Sequence, residues 1–182
     1  ASDVYKRQEL EQNGLICFVD FFVLETVCEY IHNWQKHGKK FIKVSVNMSR
    51  TTLRKKNVVQ KAVAICSKYQ IEPQMIEIEI TESIGGLEKK LITRLMDDFH
   101  AAGFSIALDD FGSGFSNIAA LAENDFDVVK FDKSLIDTIF ENDKSRTVIQ
   151  QAINLCNAVN KNIETVGEGA VSYTHLTLPT IA

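Results

Sequence analysis

The sequence predicts an α/β fold with five parallel strands, and three observations lead to that prediction. Short β-rich runs alternate with stretches of helical periodicity along the chain. The intervals between the runs are long enough for a crossover helix, which is how parallel strands are connected. One run, MIEIEITE at 75–82, carries two glutamates on one face. A charged face favours a TIM-type barrel with a polar lumen over an open doubly wound sheet, although an eight-stranded barrel needs three strands more.

The elements of the first half each have a local signal. A helix is predicted over 19–38, with Asp20 able to cap its start and Gly38 able to end it. Its apolar residues recur at helical spacing: Val23, Val27, Ile31 and Trp34. A strand is predicted at 41–47, and a second helix at 57–69 places its apolar residues on one face.

The same two periodicities predict the remaining elements. They are a strand at 75–82, a helix at 87–102 ended by Gly103, a strand at 104–110, a short helix near 116–122, a strand at 127–132, a long helix at 143–160 and a last strand at 161–168. In the 75–82 strand the isoleucines face one way and the glutamates face the other.

Composition narrows the class of protein. The 182 residues can bury the core of one domain, and the net charge of −4 gives no reason to expect nucleic-acid or membrane binding. No apolar run approaches the length of about 18 residues that a membrane helix requires. The four cysteines are widely spaced without a CxxC motif, so we expect reduced core residues of an intracellular domain.

Polar residues stand at the carboxyl end of every predicted strand. In a parallel sheet or barrel these ends lie on one rim, where such folds bind ligands. In chain order they are Asn47, Glu79, Glu82, Asp109, Asp110, Lys130, Asp132 and Glu168. Each alone has a plain explanation, as a turn residue, a solvated strand residue, a helix cap or a surface lysine. Their coincidence on five strand ends favours a functional site.

Crowded carboxylates need a compensating charge, because two like charges repel by about 4 kcal/mol at 4 Å and intermediate dielectric constant. Bound Mg²⁺, Mn²⁺ or Ca²⁺ would offset that repulsion, since these ions prefer oxygen ligands. Asp109 and Asp110 would point to opposite faces of a regular strand, so we expect the strand to be frayed there. Two bound ions suit phosphodiester hydrolysis, and no histidine is predicted on the rim for acid–base catalysis.

Five motifs occur in order along the chain: VSVNMSR, EIEITES, ALDDFGSGFSN, VVKFD and TVGEG. Together they resemble the EAL domain, the bacterial phosphodiesterase that hydrolyses cyclic di-GMP to linear pGpG. DDFGSGFS is the most specific element of the resemblance. The resemblance implies a TIM-like barrel whose first strand is antiparallel to the rest. It also implies Mg²⁺ or Mn²⁺ as cofactor, with two ions in the intact domain.

The resemblance assigns a role to each matching residue. Lys130 is expected to contact the catalytic water and the phosphate, and Glu168 to act as a base as well as a ligand. Glu82 is expected to anchor the loop after the aspartates, and Asp132 to support the site. The expected metal ligands are Asn47, Glu79, Asp109, Asp110 and Glu168. The expected substrate loop consists of Gly112, Ser113 and Gly114.

Some family features have no counterpart in the sequence. The glutamate of the Glu-Ala-Leu signature, itself a metal ligand, and a nearby substrate-binding arginine belong before residue 9. The resemblance thus implies a partial EAL domain at 9–170 that lacks the first two strands and the last strand of the barrel. The segments 1–8 and 171–182 resemble translated sequencing adapters, and we expect them to be non-native.

Two functions agree with the resemblance. The first is an enzyme, a cyclic-guanylate-specific phosphodiesterase, which is favoured because every metal position within the segment holds the expected residue. The alternative is a catalytically inactive EAL domain that acts as a cyclic di-GMP sensor or a protein-interaction module. An unrelated metal-binding α/β protein would explain the rim but not the ordered motifs.

The resemblance also implies partners and a location. Cyclic di-GMP is the expected ligand, a second EAL domain the expected partner in a homodimer, and a GGDEF or sensory domain the expected upstream neighbour. No DNA binding is inferred. The expected location is cytoplasmic, including the case of a parent protein attached to a membrane sensory module.

We expect the 182-residue chain alone to be inactive and poorly soluble, because an unclosed barrel exposes strand edges. The full-length protein is expected to hydrolyse cyclic di-GMP with Mg²⁺ or Mn²⁺. Chromatographic separation of cyclic di-GMP from pGpG measures both. Steady hydrolysis by the isolated chain would contradict the first expectation.

Overall fold

The computed structural model describes residues 9–39, 42–81, 89–113, 117–138 and 143–169. They form the predicted α/β fold with five parallel strands, as in a partial TIM-type barrel. The elements are α1 (Ile16–Lys36), β1 (Val44–Asn47), α2 (Arg50–Leu53), α3 (Val58–Lys68), β2 (Ile76–Thr81), α4 (Lys89–Ala101), β3 (Ser105–Phe111), α5 (Asn117–Glu123), β4 (Val128–Phe131), α6 (Lys133–Asp137), α7 (Asp143–Val159) and β5 (Glu164–Gly167).

The strands follow the chain order in the sheet, from β1 to β5. The β1–β2 ladder pairs Asn47 with Glu79, and the β4–β5 ladder pairs Lys130 with Val166. Each parallel pair is joined by a helical crossover, which is the connection that parallel strands require. The five strands predicted from β-rich runs between helical stretches are therefore all present.

The chain divides into two compact units, residues 1–106 (the N-terminal unit) and 107–182 (the C-terminal unit). In the N-terminal unit, α1 packs against α2, α3 and β1. In the C-terminal unit, α5 lies against α7, and the aromatic rings of Phe111 and Phe131 meet edge to face with centroids 5.3 Å apart. Both rings are buried, so they join the ends of β3 and β4.

Helix α1 begins earlier than predicted, and Asp20 is not its cap. The helix starts at Ile16, with Leu15 at the N-cap position, so Asp20 lies inside it and is buried. The predicted apolar face was wrong in part, because Val23 and Trp34 are exposed. The buried stripe is Ile16, Cys17, Asp20, Phe21, Leu24, Cys28 and Ile31. A carboxyl group on a buried stripe requires polar partners inside the fold.

Three short helical elements were not predicted as helices: α2, α6 and a 3₁₀ turn at Pro73–Met75. Elements of three to five residues show too little periodicity to be recognised. The two α-helices do begin at side-chain caps, since the Ser49 hydroxyl accepts the Thr52 N–H and the Asp132 carboxylate accepts the Ser134 N–H.

Strand β2 is buried along almost its whole length. Glu77 is 6% exposed and Glu79 is 5% exposed, so neither is the solvated strand residue of the plain explanation. The Ser45 hydroxyl donates a hydrogen bond to Glu77 Oε1 at 2.8 Å, which satisfies part of that buried carboxyl group. The glutamate face of β2 is therefore a polar interior face, as the barrel prediction requires.

All four cysteines are buried and free, as predicted for core residues. Cys28 Sγ on α1 lies 3.9 Å from Cys66 Sγ on α3, and their hydrogen bond raises the pKa of Cys28 and lowers that of Cys66. Burial raises the pKa of Cys156 to about 11, which keeps this thiol protonated at neutral pH. Among the described helices, none is both long and apolar enough to cross a membrane.

The fold predicts a clear contrast between two phenylalanines. Phe99 is fully buried and contacts Phe104 edge to face, whereas Phe18 is 72% exposed. Phe99→Ala should lower the free energy of unfolding by about 3–5 kcal/mol through the cavity it leaves. Phe18→Ala should change it by less than about 0.5 kcal/mol. Urea titration followed by circular dichroism measures both, and equal losses would contradict this packing.

Candidate metal centre

Three carboxylates of the C-terminal unit converge at the carboxyl ends of β3 and β5. Asp109 and Asp110 lie near the end of β3, and Glu168 directly follows β5. One carboxylate oxygen from each lies within 4.8 Å of the other two. Asp109 is buried, and the other two are half-buried. In the part of the chain that the structure describes, this is the one group of three acidic, cysteine or histidine residues spaced to hold a metal ion.

A β-bulge brings the two adjacent aspartates together. Leu108 pairs with Val129 and Phe111 pairs with Phe131, so three steps along β3 match two steps along β4. The extra residue falls at Asp109–Asp110, opposite Lys130 of β4. Asp110 adopts a φ of 57°, a left-handed conformation that aspartate tolerates better than most residues. The expected frayed end was therefore wrong, because β3 continues through Phe111 and the bulge breaks the alternation of side chains.

Lys130 places a positive charge among these carboxylates. Its Nζ lies 2.7 Å from Glu168 Oε1 and 3.7 Å from Asp109 Oδ1. The lysine side chain is 16% exposed, so water screens these contacts only partly. An ammonium group held in this way offsets part of the repulsion between the acids and remains near any anion that binds beside them.

The turn after the bulge is closed by Ser113. Its backbone N–H and its hydroxyl both donate to the Asp110 carbonyl oxygen, at 3.1 and 2.9 Å. Gly112 within this turn has a φ of 97°, and a Cβ there would lie 2.5 Å from Leu135 Cδ2. Gly112 and Ser113, predicted as substrate-loop residues, thus hold the turn that carries Asp110. The predicted loop residue Gly114 lies outside the described residues.

The short helix α6 supports this turn and the chain beyond β5. The Asp132 carboxylate caps α6 by accepting hydrogen bonds from the backbone and the hydroxyl of Ser134. Leu135 of α6 fills the space beside Gly112, and the aliphatic stem of Lys133 lies against Gly169, which immediately follows Glu168. Asp132 therefore starts the helix that lies against the two segments carrying predicted ligands, 109–113 and 168–169 (the ligand-bearing segments). Its supporting role in the site stays a prediction.

Backbone hydrogen bonds tie the same segments to β4. The Asp132 N–H donates to the Phe111 carbonyl at 3.0 Å, and the Glu168 N–H donates to the Phe131 carbonyl at 3.0 Å. Lys130 immediately precedes Phe131, so its position is fixed by the same strand. Strand β4 consequently sets the spacing of both ligand-bearing segments.

In the N-terminal unit, Asn47 and Glu79 form a second predicted pair of ligands. They are register partners on β1 and β2, and Asn47 Nδ2 donates to Glu79 Oε2 at 2.8 Å. The Met48 N–H donates to the Glu79 carbonyl at 3.0 Å, so the turn after β1 stays attached to β2. The hydrogen bond to Glu79 Oε2 uses an amide N–H of Asn47 and satisfies one oxygen of the buried Glu79 carboxylate. The predicted anchor Glu82 lies outside the described residues, as do the segments 1–8 and 171–182.

These donors fit a hard divalent cation. All candidate ligands offer carboxylate or amide oxygen, which Mg²⁺, Mn²⁺ and Ca²⁺ prefer, and no sulfur or imidazole belongs to the carboxylate cluster. The three converging oxygens of the C-terminal unit are close enough to contact one ion or two adjacent ions. The close approach of three acids is the observation that a cation would explain.

Sequence reasoning missed the contacts of three residues. Leu135 and Lys133 support the ligand-bearing segments from α6, a helix too short to be recognised. Asp20 was interpreted as a helix cap, although its spacing of four from Leu24 places it on the buried stripe. That spacing was the available signal, because an acid at a core position of a helix needs a partner.

Comparison with known proteins agrees with the motifs. The family model of the EAL domain matches residues 7–174. The chain is 25% identical over 162 residues to the cyclic di-GMP phosphodiesterase PdeR of Escherichia coli, covering 89% of this chain and 24% of that protein. The chain spans between 19% and 46% of the length of eight curated relatives that it matches.

Solved structures share the fold. The EAL domain of Mycobacterium smegmatis DcpA aligns with a TM-score of 0.76 at 24% identity, over 84% of this chain and 68% of that one. The manganese and cyclic di-GMP complex of Klebsiella pneumoniae BlrP1 aligns with a TM-score of 0.68 at 20% identity, over 80% of this chain and 37% of that one. EAL domains are TIM-type barrels, in agreement with the predicted fold class.

Gly112 offers a test of the turn beneath the carboxylates, with Gly103 as its matched control. Both have positive φ, 97° and 93°, but a Cβ at Gly103 would find its nearest neighbour at 3.7 Å. Gly103→Ala should cost about 1 kcal/mol of unfolding free energy from backbone strain alone. Gly112→Ala should cost at least about 1 kcal/mol more, because the methyl group also collides with Leu135.

Leu135→Ala should restore part of the loss in the Gly112→Ala background, since it removes the atom nearest to the new methyl group. Urea denaturation of the four variants measures these differences. Equal destabilisation by the two glycine substitutions, or no recovery in the double variant, would contradict the proposed support by α6.

Proposed function

The chain belongs to the EAL domain family, and we propose that it forms the metal- and phosphate-binding part of a cyclic di-GMP phosphodiesterase. The reaction proposed is hydrolysis of cyclic di-GMP to linear pGpG with Mg²⁺ or Mn²⁺ as cofactor. One observation carries the proposal: Asp109, Asp110 and Glu168 bring their oxygens within 4.8 Å of one another, with the Lys130 ammonium beside them. A relative named for this activity supports the choice of substrate.

In the C-terminal unit, metal binding is assigned to Asp109, Asp110 and Glu168. In the N-terminal unit, the family resemblance identifies Asn47 and Glu79 as predicted ligands. Bound divalent ions lower the pKa of a coordinated water and offset charge on the phosphoryl oxygens. The protein's own contribution is to hold the oxygen donors in place. The bulge does this for the aspartates, and the hydrogen bond from Asn47 does it for Glu79.

Lys130 and Glu168 supply the groups that act on the substrate. We assign to the Lys130 ammonium, 2.7 Å from Glu168 Oε1, the role of donating hydrogen bonds to a phosphate oxygen or to the attacking water. We assign to the Glu168 carboxylate the role of accepting a proton from that water. Because Lys130 contacts both Asp109 and Glu168, movement of either acid would displace it.

The proposed reaction consumes one water and breaks one phosphodiester bond. The water oxygen forms a bond to phosphorus while the bond from phosphorus to the ribose 3′ oxygen breaks. One proton of the attacking water passes to the Glu168 carboxylate, and the leaving 3′ oxygen takes up a proton from the solvent. The product keeps its second phosphodiester bond and is therefore linear.

Asp109→Asn in the full-length protein tests the proposal. Loss of one carboxylate charge should lower both Mn²⁺ affinity and turnover of cyclic di-GMP by at least about tenfold. Asp125→Asn is the matched control, because Asp125 is exposed near the opposite end of β4 and should leave both values unchanged. Chromatography measures turnover, and electron paramagnetic resonance of free Mn²⁺ measures binding.

Unchanged turnover in Asp109→Asn would refute its metal-binding role. Tight binding of cyclic di-GMP by the full-length protein without any hydrolysis would instead favour the sensor function. If the full-length protein neither hydrolyses nor binds cyclic di-GMP, the proposal as a whole is overturned.

A further inference from the structure

Asp20 is a buried acid whose contacts lie on the segment that follows β1. Its side chain is 3% exposed, and Oδ2 accepts hydrogen bonds from the Ser49 N–H at 2.8 Å and from the Thr52 hydroxyl at 2.5 Å. Ser49 and Thr52 are buried as well. A carboxyl group with so little solvent contact depends on these two donors for its polar interactions.

The hydroxyl groups around Asp20 form a directed chain. Thr52 has one hydroxyl proton and gives it to Asp20, so the contact of 2.9 Å between the Ser49 and Thr52 hydroxyls has Ser49 as donor. The Ser49 hydroxyl oxygen in turn accepts the Thr52 N–H at 3.2 Å. The N–H and hydroxyl groups of Ser49 and Thr52 all donate a hydrogen bond within this cluster. The start of α2 is thus held to α1 by one carboxyl oxygen, Asp20 Oδ2.

This fixed segment begins two residues after Asn47. Met48 lies between them, and its N–H donates to the Glu79 carbonyl oxygen. The turn at 47–49 is thus held from one side by β2 and from the other side by Asp20. The Asn47 side chain lies at the start of this turn and donates to Glu79 Oε2.

We propose that Asp20 is a positioning residue for metal binding, which acts by fixing the turn that orients the Asn47 amide toward Glu79. The inference rests on the proposed function, since it assumes that Asn47 and Glu79 bind the metal ion. Asp20 itself is not a ligand: its contacts are with the backbone of Ser49 and the side chain of Thr52. Its effect passes through Asn47, and loss of Asn47 should therefore remove it.

The test measures Mn²⁺ binding to the full-length protein by electron paramagnetic resonance, with thermal unfolding measured in parallel. Asp20→Ala removes both hydrogen bonds and should weaken Mn²⁺ binding by about tenfold, as is typical for loss of a residue that orients a ligand. Thr52→Val removes one of the two bonds and should weaken binding by about threefold. Asp20→Asn, which keeps one acceptor oxygen, should fall between wild type and Asp20→Ala.

Leu24→Ala is the matched structural control. Leu24 lies one turn beyond Asp20 on the same buried stripe of α1 and is fully buried, but it contributes no polar contact to the turn. It should lower the melting temperature at least as much as Asp20→Ala, while Mn²⁺ affinity stays within about twofold of wild type. Weakened Mn²⁺ binding in Leu24→Ala equal to that in Asp20→Ala would overturn the inference, because general destabilisation would then explain both.

A double variant separates positioning from other effects. In the Asn47→Ala background, Asp20→Ala should cause no further loss of Mn²⁺ affinity, because residues that act as one unit are not additive. Full additivity, or unchanged Mn²⁺ affinity in folded Asp20→Ala and Thr52→Val, would overturn the positioning role. If Asp20→Ala does not fold, the same comparison is made with Thr52→Val.

The two proposals fail in different ways. Absence of Mn²⁺ binding by the wild-type protein would overturn the proposed function and this inference with it. Normal binding by wild type, weakened by Asp109→Asn but not by Asp20→Ala or Thr52→Val, would leave the proposed function intact and overturn the inference alone.

Discussion

The C-terminal unit depends on a single constraint, which is that two adjacent carboxylates must reach the same point from one strand. A regular strand forbids this, because successive side chains point to opposite faces. The bulge at Asp109–Asp110 and the left-handed conformation of Asp110 remove the conflict. Left-handed geometry at a residue other than glycine costs of order 1–3 kcal/mol, so the surrounding structure has to hold it in place. The hydrogen bonds from Ser113 and the packing of Leu135 against Gly112 provide that support.

Strand β4 lies between β3 and β5 and contacts the acids at the ends of both strands. It places Lys130 opposite the bulge, where its charge offsets that of Asp109 and Glu168. The next residue, Phe131, packs against Phe111 and accepts the Glu168 N–H. Asp132 then caps the helix that supports both ligand-bearing segments. Three consecutive residues of the motif VVKFD, Lys130, Phe131 and Asp132, therefore each contact the acidic cluster or its supports. These contacts explain why so short a motif is informative in the sequence.

Sequence reasoning succeeded where the signal was periodic and failed where it was local. All five strands followed from short β-rich runs between stretches of helical periodicity, and strict alternation of side chains marked the strand at 75–82. The grouping of Asp109, Asp110, Lys130 and Glu168 followed from their positions at strand ends. The bulge could not be predicted, because its register is defined only against β4 and a single strand gives no trace of it. Helix α6 was missed because five residues carry no helical period, so the roles of Lys133 and Leu135 remained hidden. The assignment of each ligand came from the family motifs and remains a prediction for all five residues, of which Asp109, Asp110 and Glu168 lie close together.

Asp20 and Asp110 show why departures from local rules are worth following to their contacts. Asp20 occupies a position on α1 where the pattern calls for an apolar side chain, and Asp110 adopts a conformation in which glycine would be less strained. Neither departure stabilises the element in which it occurs. In each case the compensating contacts lie on a segment that carries a predicted ligand, Ser49 beside Asn47 and Ser113 beside Asp110. Sequences that specify a fold tend to violate local preference at functional sites. One violation at a predicted ligand, Asp110, and one at a residue that holds the segment after another, Asp20, therefore support a functional rather than a purely structural origin.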